Sequence, residues 1–122
     1  MKELAGKRIF VVEDEALVAA MIEDMLTDAG AAVIGPAATI ARSLDLAACE
    51  AIDVAILDVN VRGERIDPVV EVLRGRGVPV VFATGYGQAA GAATAGAPVL
   101  DKPYTPERLI AALRLALATA AS

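Results

Sequence analysis

Residues 8–15 read Arg8-Ile9-Phe10-Val11-Val12-Glu13-Asp14-Glu15, an apolar run that stops abruptly at three acids. Four consecutive apolar side chains without alternation are what a strand shows when both of its faces are covered. Just downstream, Leu17, Val18, Met21, Ile22 and Met25 recur at helical spacing, and Gly30 is placed to stop that helix. Together they make one β-α unit, and the pattern recurs along the chain. Ala31–Ile34 is a second strand, ended by Gly35-Pro36, and 39–50 reads as a helix with Thr39 as N-cap and Leu44 and Ala48 facing inward. Val54–Leu57 is a third strand. Asp67-Pro68 reads as an N-cap followed by proline at the first helical position, opening a helix through Leu73 that Gly75 and Gly77 close. Val78–Ala83 is a fourth strand and Val99-Leu100 the core of a fifth. Thr105-Pro106-Glu107 starts a last helix with the stripe Leu109, Ile110, Leu113 and Leu117. Segment 85–97 reads equally as a short helix and as a surface loop, because each of its glycines costs up to about 1 kcal/mol relative to alanine inside a helix.

Five such units imply an α/β fold, a parallel sheet with helices on both faces joined by right-handed crossovers. At 122 residues, with no repeat or linker, the chain reads as one domain over 1–122.

Composition removes whole classes of function. With no His there is no imidazole base and no His-ligated zinc, and with the single Cys49 there is no internal disulfide and no sign of an oxidising compartment. A net charge of −5 and scattered basic residues argue against nucleic acid as a partner. The first ten residues lack the apolar core of a secretory leader, so a cytoplasmic location is expected. The uncharged stretch 77–100 is long enough to raise the question of a membrane span, but its glycines, prolines, threonines and Gln88 argue against one.

In an open parallel sheet, ligands bind beyond the carboxyl ends of the strands. There the first strand offers Glu13 and Asp14, the third Asp58, the fourth Thr84, and the fifth is followed by Lys102. The second strand offers nothing. Each residue alone has a plain structural reading: helix N-terminal acids, a turn, an ion pair. Four such coincidences at equivalent strand ends are a poorer account than one site. Crowded carboxylates need a cation, and oxygen-only ligands suit Mg²⁺. A metal, an ammonium and a hydroxyl together suit a phosphoryl group. Without His or a catalytic Cys the nucleophile must be a carboxylate, and Asp58 is central.

The ordered set VVEDE, ILDVN, FATGYG and LDKPY closely resembles the receiver domain of two-component response regulators, over essentially the whole chain. The resemblance implies a flavodoxin-like, CheY-like (βα)5 fold, a doubly wound parallel five-stranded sheet of order 2-1-3-4-5. It implies that Asp58 accepts a phosphoryl group from a phosphohistidine on a sensor histidine kinase or histidine phosphotransfer protein. Mg²⁺ would be held by Asp14, Asp58 and the carbonyl of Asn60, with Glu13 acting through water. Lys102 would contact the phosphoryl group, Thr84 would move toward it, and Lys102-Pro103 would be a cis peptide.

Two departures stand out. Val99 occupies the position where most receivers carry a switch aromatic, and FATGYG resembles a subgroup often found as stand-alone domains, so Tyr86 or segment 85–97 is expected to transmit the signal. The usual proline after the phosphoacceptor loop is missing, so that loop is expected to be more mobile. Arg62 reads as a solvated surface residue, with reach toward the site mouth as the alternative. Taken at this length, the chain would act through an unknown downstream protein partner or as a phosphoryl relay. The contact face would be 85–97 with the last strand and helix, including Tyr104, Arg108 and Arg114. Two other readings remain at this point: a receiver-like binding module that is not phosphorylated, and an Asp-nucleophile phosphatase. The latter needs a second Asp where this chain has Asn60.

Overall fold

The apolar strands run through the middle of the molecule, and their side chains alternate between two cores. The computed structural model describes residues 3–84, 99–101 and 105–121, excluding the side chains of Asn60, Thr84, Val99, Asp101, Ala120 and Ala121. The elements are β1 (Arg8–Val12), α1 (Ala16–Asp28), β2 (Ala32–Ala37), α2 (Ile40–Cys49), β3 (Val54–Asp58), β4 (Asn60–Val61), β5 (Glu64–Arg65), α3 (Asp67–Gly75), β6 (Val80–Thr84), β7 (Val99–Asp101) and α4 (Pro106–Ala121). The main sheet is parallel, in the order β2-β1-β3-β6-β7, which is the expected 2-1-3-4-5 order of the five main strands. Four helices are present among the described residues. The other expected helix position, 85–97, lies outside them.

Phe10, Val12, Ala55, Leu57, Val80 and Phe82 face one core with α2 and α3. Ile9, Val11, Val54, Ile56, Val81 and Ala83 face the other with α1 and α4. This is the physical meaning of the uninterrupted apolar runs: with helices on both faces, Ile9–Val12 of β1 and Val54–Leu57 of β3 are all buried. No helix among the described residues is long and apolar enough to cross a membrane.

Several local expectations shift. The second strand does not end at Gly35-Pro36. It bulges there, with a cis Gly35-Pro36 bond and a register shift against β1, and continues to Ala37. An edge strand tolerates this, because the missing proline N–H and the irregularity fall where there is a neighbour on one side only. Gly35 is obligatory at this point. Its φ is +97°, and a Cβ would lie 2.8 Å from the Ala37 nitrogen.

On α2, Thr39 caps as expected, its hydroxyl accepting from the Arg42 N–H at 3.1 Å. The buried stripe is Ile40, Ser43 and Ala47, with Leu44 half-buried and Ala48 exposed, one position off the expected face. On α1 the buried face is Ala19, Ile22 and Leu26, while Leu17 and Met21 point to solvent. Ile66, not Asp67, is the N-cap of α3. On α4, Leu109 and Leu113 are fully buried and Ile110 and Leu117 pack partly against the core, as the stripe predicts.

Candidate functional site

Register decides where the acids meet. Val12 pairs with Leu57 in the β1–β3 ladder, so Glu13 continues beside Asp58, and Asp58 in turn pairs with Ala83. Both strands end at the same level because both are central and fixed from two sides. Glu13, Asp14 and Asp58 each offer a carboxylate oxygen, all within 4.8 Å of one another. At that spacing two negative charges cost on the order of 3 kcal/mol at an effective dielectric near 20. The set is stable with a cation nearby, and its donors are all hard oxygens of the kind Mg²⁺ takes.

The three acids differ in surroundings. Glu13 is only 2% exposed. Its backbone N–H donates to the Ala37 carbonyl at 3.0 Å, and its carboxylate Oε2 accepts from the Glu15 N–H at 3.1 Å, at the entrance to α1. Asp14 and Asp58 are half-buried. The Asp14 Oδ2 accepts from the Arg62 backbone N–H at 2.9 Å.

The loop after Asp58 is a closed hairpin. Asn60 pairs with Arg65 and Val61 with Glu64, antiparallel, around the turn Arg62-Gly63. Arg62 and Gly63 both have positive φ, +53° and +81°, the signature of a type I′ turn. Val59 and Val61 are buried beneath it, and the Ile66 N–H donates to the Val59 carbonyl at 3.1 Å. A loop without its proline is thus secured by backbone pairing instead. Arg62 is exposed, yet it reaches the site mouth: its Nε donates to the Ala38 carbonyl at 2.9 Å. The second strand offers no reactive side chain, but its last residue, Ala37, and the next residue, Ala38, supply carbonyls to the site's rim. Sequence reasoning missed both this and the hairpin. The clues available were the Gly after Arg62 and the alternation Val59-Asn60-Val61.

Thr84 ends β6 with its backbone opposite Asp101 of β7, and Val99 opens β7 opposite Phe82. The side chains of Thr84, Val99 and Asn60 lie outside the described residues, as do Tyr86, Lys102, Pro103, Tyr104, the Lys102-Pro103 bond and segment 85–97. Arg108 and Arg114 are exposed on α4.

Residues 9–114 match the family model of the response regulator receiver domain. Among curated proteins, the transcriptional regulatory protein PdtaR of Mycobacterium tuberculosis is 33% identical over 116 residues, covering 91% of this chain and 57% of PdtaR. The chain thus spans a little over half the length of that relative. Among solved structures, SdrG from Sphingomonas melonis Fr1 matches with a TM-score of 0.81 and 39% identity, covering 100% of both chains. A response regulator receiver protein from Sinorhizobium medicae WSM419 matches with a TM-score of 0.79 and 25% identity, over 93% of this chain and 96% of that one. The acids that register brings together at the end of this sheet are therefore carried by a family member: the chain belongs to the response regulator receiver domains of two-component systems.

Proposed function

We propose that this receiver takes a phosphoryl group onto Asp58 and signals by changing which protein it binds. The observation that carries the reading is the convergence of the Glu13, Asp14 and Asp58 oxygens within 4.8 Å at the carboxyl ends of two central strands. The donor is a phosphohistidine on a sensor histidine kinase or histidine phosphotransfer protein, the source that membership of the receiver family supports. An Asp58 oxygen attacks phosphorus as the P–N bond breaks. The ring, protonated on its other nitrogen, leaves as neutral imidazole, and the product is an acyl phosphate.

Asp14, Asp58 and the Asn60 carbonyl would hold Mg²⁺, and the buried Glu13 would act through water. When bound, the ion neutralises phosphoryl oxygens. Lys102 and Thr84 serve as phosphoryl contacts. Thr84 follows Ala83, the backbone neighbour of Asp58, which supports its assignment. Output runs through Thr84, Tyr86, Val99, Pro103 and Tyr104, joined by the exposed Arg108 and Arg114 of α4. The FATGYG segment supports the FATGY-signature subgroup, and the receiver family itself supports work in the cytoplasm.

The test is labelling with acetyl phosphate and Mg²⁺. The wild-type chain takes up a single alkali-labile phosphoryl group, and Asp58→Ala falls to background. Slow loss of the label by autodephosphorylation is expected; label that persists in Asp58→Ala, or steady turnover of phosphomonoesters, overturns the reading.

A further inference from the structure

We infer that Arg62 is a positioning residue that fixes the Asp14 carboxylate for its cation by bracing three loops at once. The inference rests on the proposed metal role of Asp14. Arg62 lies on the turn after β3, its N–H donates to Asp14 Oδ2 after β1, and its Nε donates to the Ala38 carbonyl after β2, both at 2.9 Å. A single residue thus joins the ends of the three adjacent strands that surround the acids. A carboxylate with one oxygen held by a fixed donor cannot rotate freely, so its ligand geometry is set before a cation arrives. Groups that hold metal ligands in place in this way commonly change metal affinity when altered.

The backbone of Arg62 makes the same point. Its φ of +53° is the one positive value at a non-glycine residue among the described residues. Asn or Gly would adopt that conformation at less cost, so turn chemistry alone does not select Arg here. What Arg adds is reach and a planar donor. The turn N–H can meet Asp14 only while the hairpin stays seated, and the side-chain bond to Ala38 seats it. A residue needed only for the turn would be replaceable by Asn without consequence.

That difference provides the test. Mg²⁺ is titrated calorimetrically into the full chain as wild type, Arg62→Asn and Arg62→Ala, and the melting midpoint of each is followed by circular dichroism. Arg62→Asn keeps the turn and removes the tether. Its midpoint stays within about 2 °C of wild type, while its Mg²⁺ Kd rises about fivefold, the weight of one hydrogen bond. Arg62→Ala shows the same rise in Kd with a lower midpoint, because it keeps the positive-φ cost. A Kd within twofold of wild type in both variants, or tighter binding in either, overturns the positioning role. The acetyl phosphate experiment separates this from the parent reading. A labelled wild type with unchanged variant affinities sinks the Arg62 role alone. A wild type that binds no Mg²⁺ sinks the metal assignment and this inference with it.

Discussion

Strand β3 sits in the middle of the sheet with β1 on one side and β6 on the other, whereas β2 lies at the edge with β1 alone. β3 runs in unbroken register, four of its five residues are buried, and it delivers a side chain, Asp58, to the site. β2 is half exposed and bulged, and it delivers no reactive side chain. Its contribution is backbone: Ala37 accepts from the Glu13 N–H, and Ala38, the residue just after the strand, accepts from Arg62. A strand fixed on two sides can place a carboxylate accurately because any slip would disturb two ladders. An edge strand has the freedom to bend, and here the bend itself brings carbonyls under the neighbouring loops.

Leu57, fully buried and adjacent to Asp58, is where a substitution damages the central strand most. Leu57→Ala leaves a cavity between central strand and helices, with an expected loss of about 3–5 kcal/mol. For a domain of ordinary stability, about 5–15 kcal/mol, that is a large share. Urea unfolding followed by circular dichroism should show the midpoint collapse, and labelling of Asp58 should fall in step with the folded fraction. A loss under 1 kcal/mol would mean that the centre of this sheet is no more demanding than its edge.

Gly35→Ala tests the edge. A left-handed backbone at a residue bearing a Cβ and a contact of 2.8 Å to the Ala37 nitrogen together cost about 2–3 kcal/mol. Relieving that contact must move Ala37, whose carbonyl holds the Glu13 N–H. Mg²⁺ affinity should therefore fall even under conditions where the variant is fully folded. If the midpoint drops while Mg²⁺ affinity stays at the wild-type value, β2 is a stabilising edge only and its backbone role is wrong.

The same contrast explains what could be read in advance. Periodicity locates β1, β3 and β6 because central strands have one environment along their whole length. Register then follows from the acids that end them, so Glu13, Asp14 and Asp58 are legible as a group. Gly35-Pro36 reads as a stop because those residues break most strands, and only the edge position of β2 lets the strand continue. The tethers from Ala37 and Ala38 are invisible because every residue has a carbonyl. Arg62 is ambiguous for the reverse reason: its side chain announces charge, but its tie to Asp14 runs through a backbone amide. Helix faces slip by one position where the apolar residues outnumber the sites available. Thus Ala47 is buried rather than Ala48, and α1 carries more apolar residues than the core takes in.

Leu17 provides the smallest expected effect and the sharpest control. It stands three residues beyond Asp14, on the first turn of α1, and belongs to the apolar pattern that makes that helix readable. It is nevertheless 76% exposed, so its side chain gives up little contact with water on folding. Leu17→Ser should change stability by no more than about 0.5 kcal/mol, the range of surface substitutions. Labelling by acetyl phosphate, which needs no protein partner, should proceed at the wild-type rate. Closeness to the acids along the chain would then count for nothing beside burial and register. A midpoint shift approaching that of Leu57→Ala would show that the region around the site is held by the outer face of α1, and would remove the distinction between central and peripheral elements on which the comparison of β3 with β2 depends.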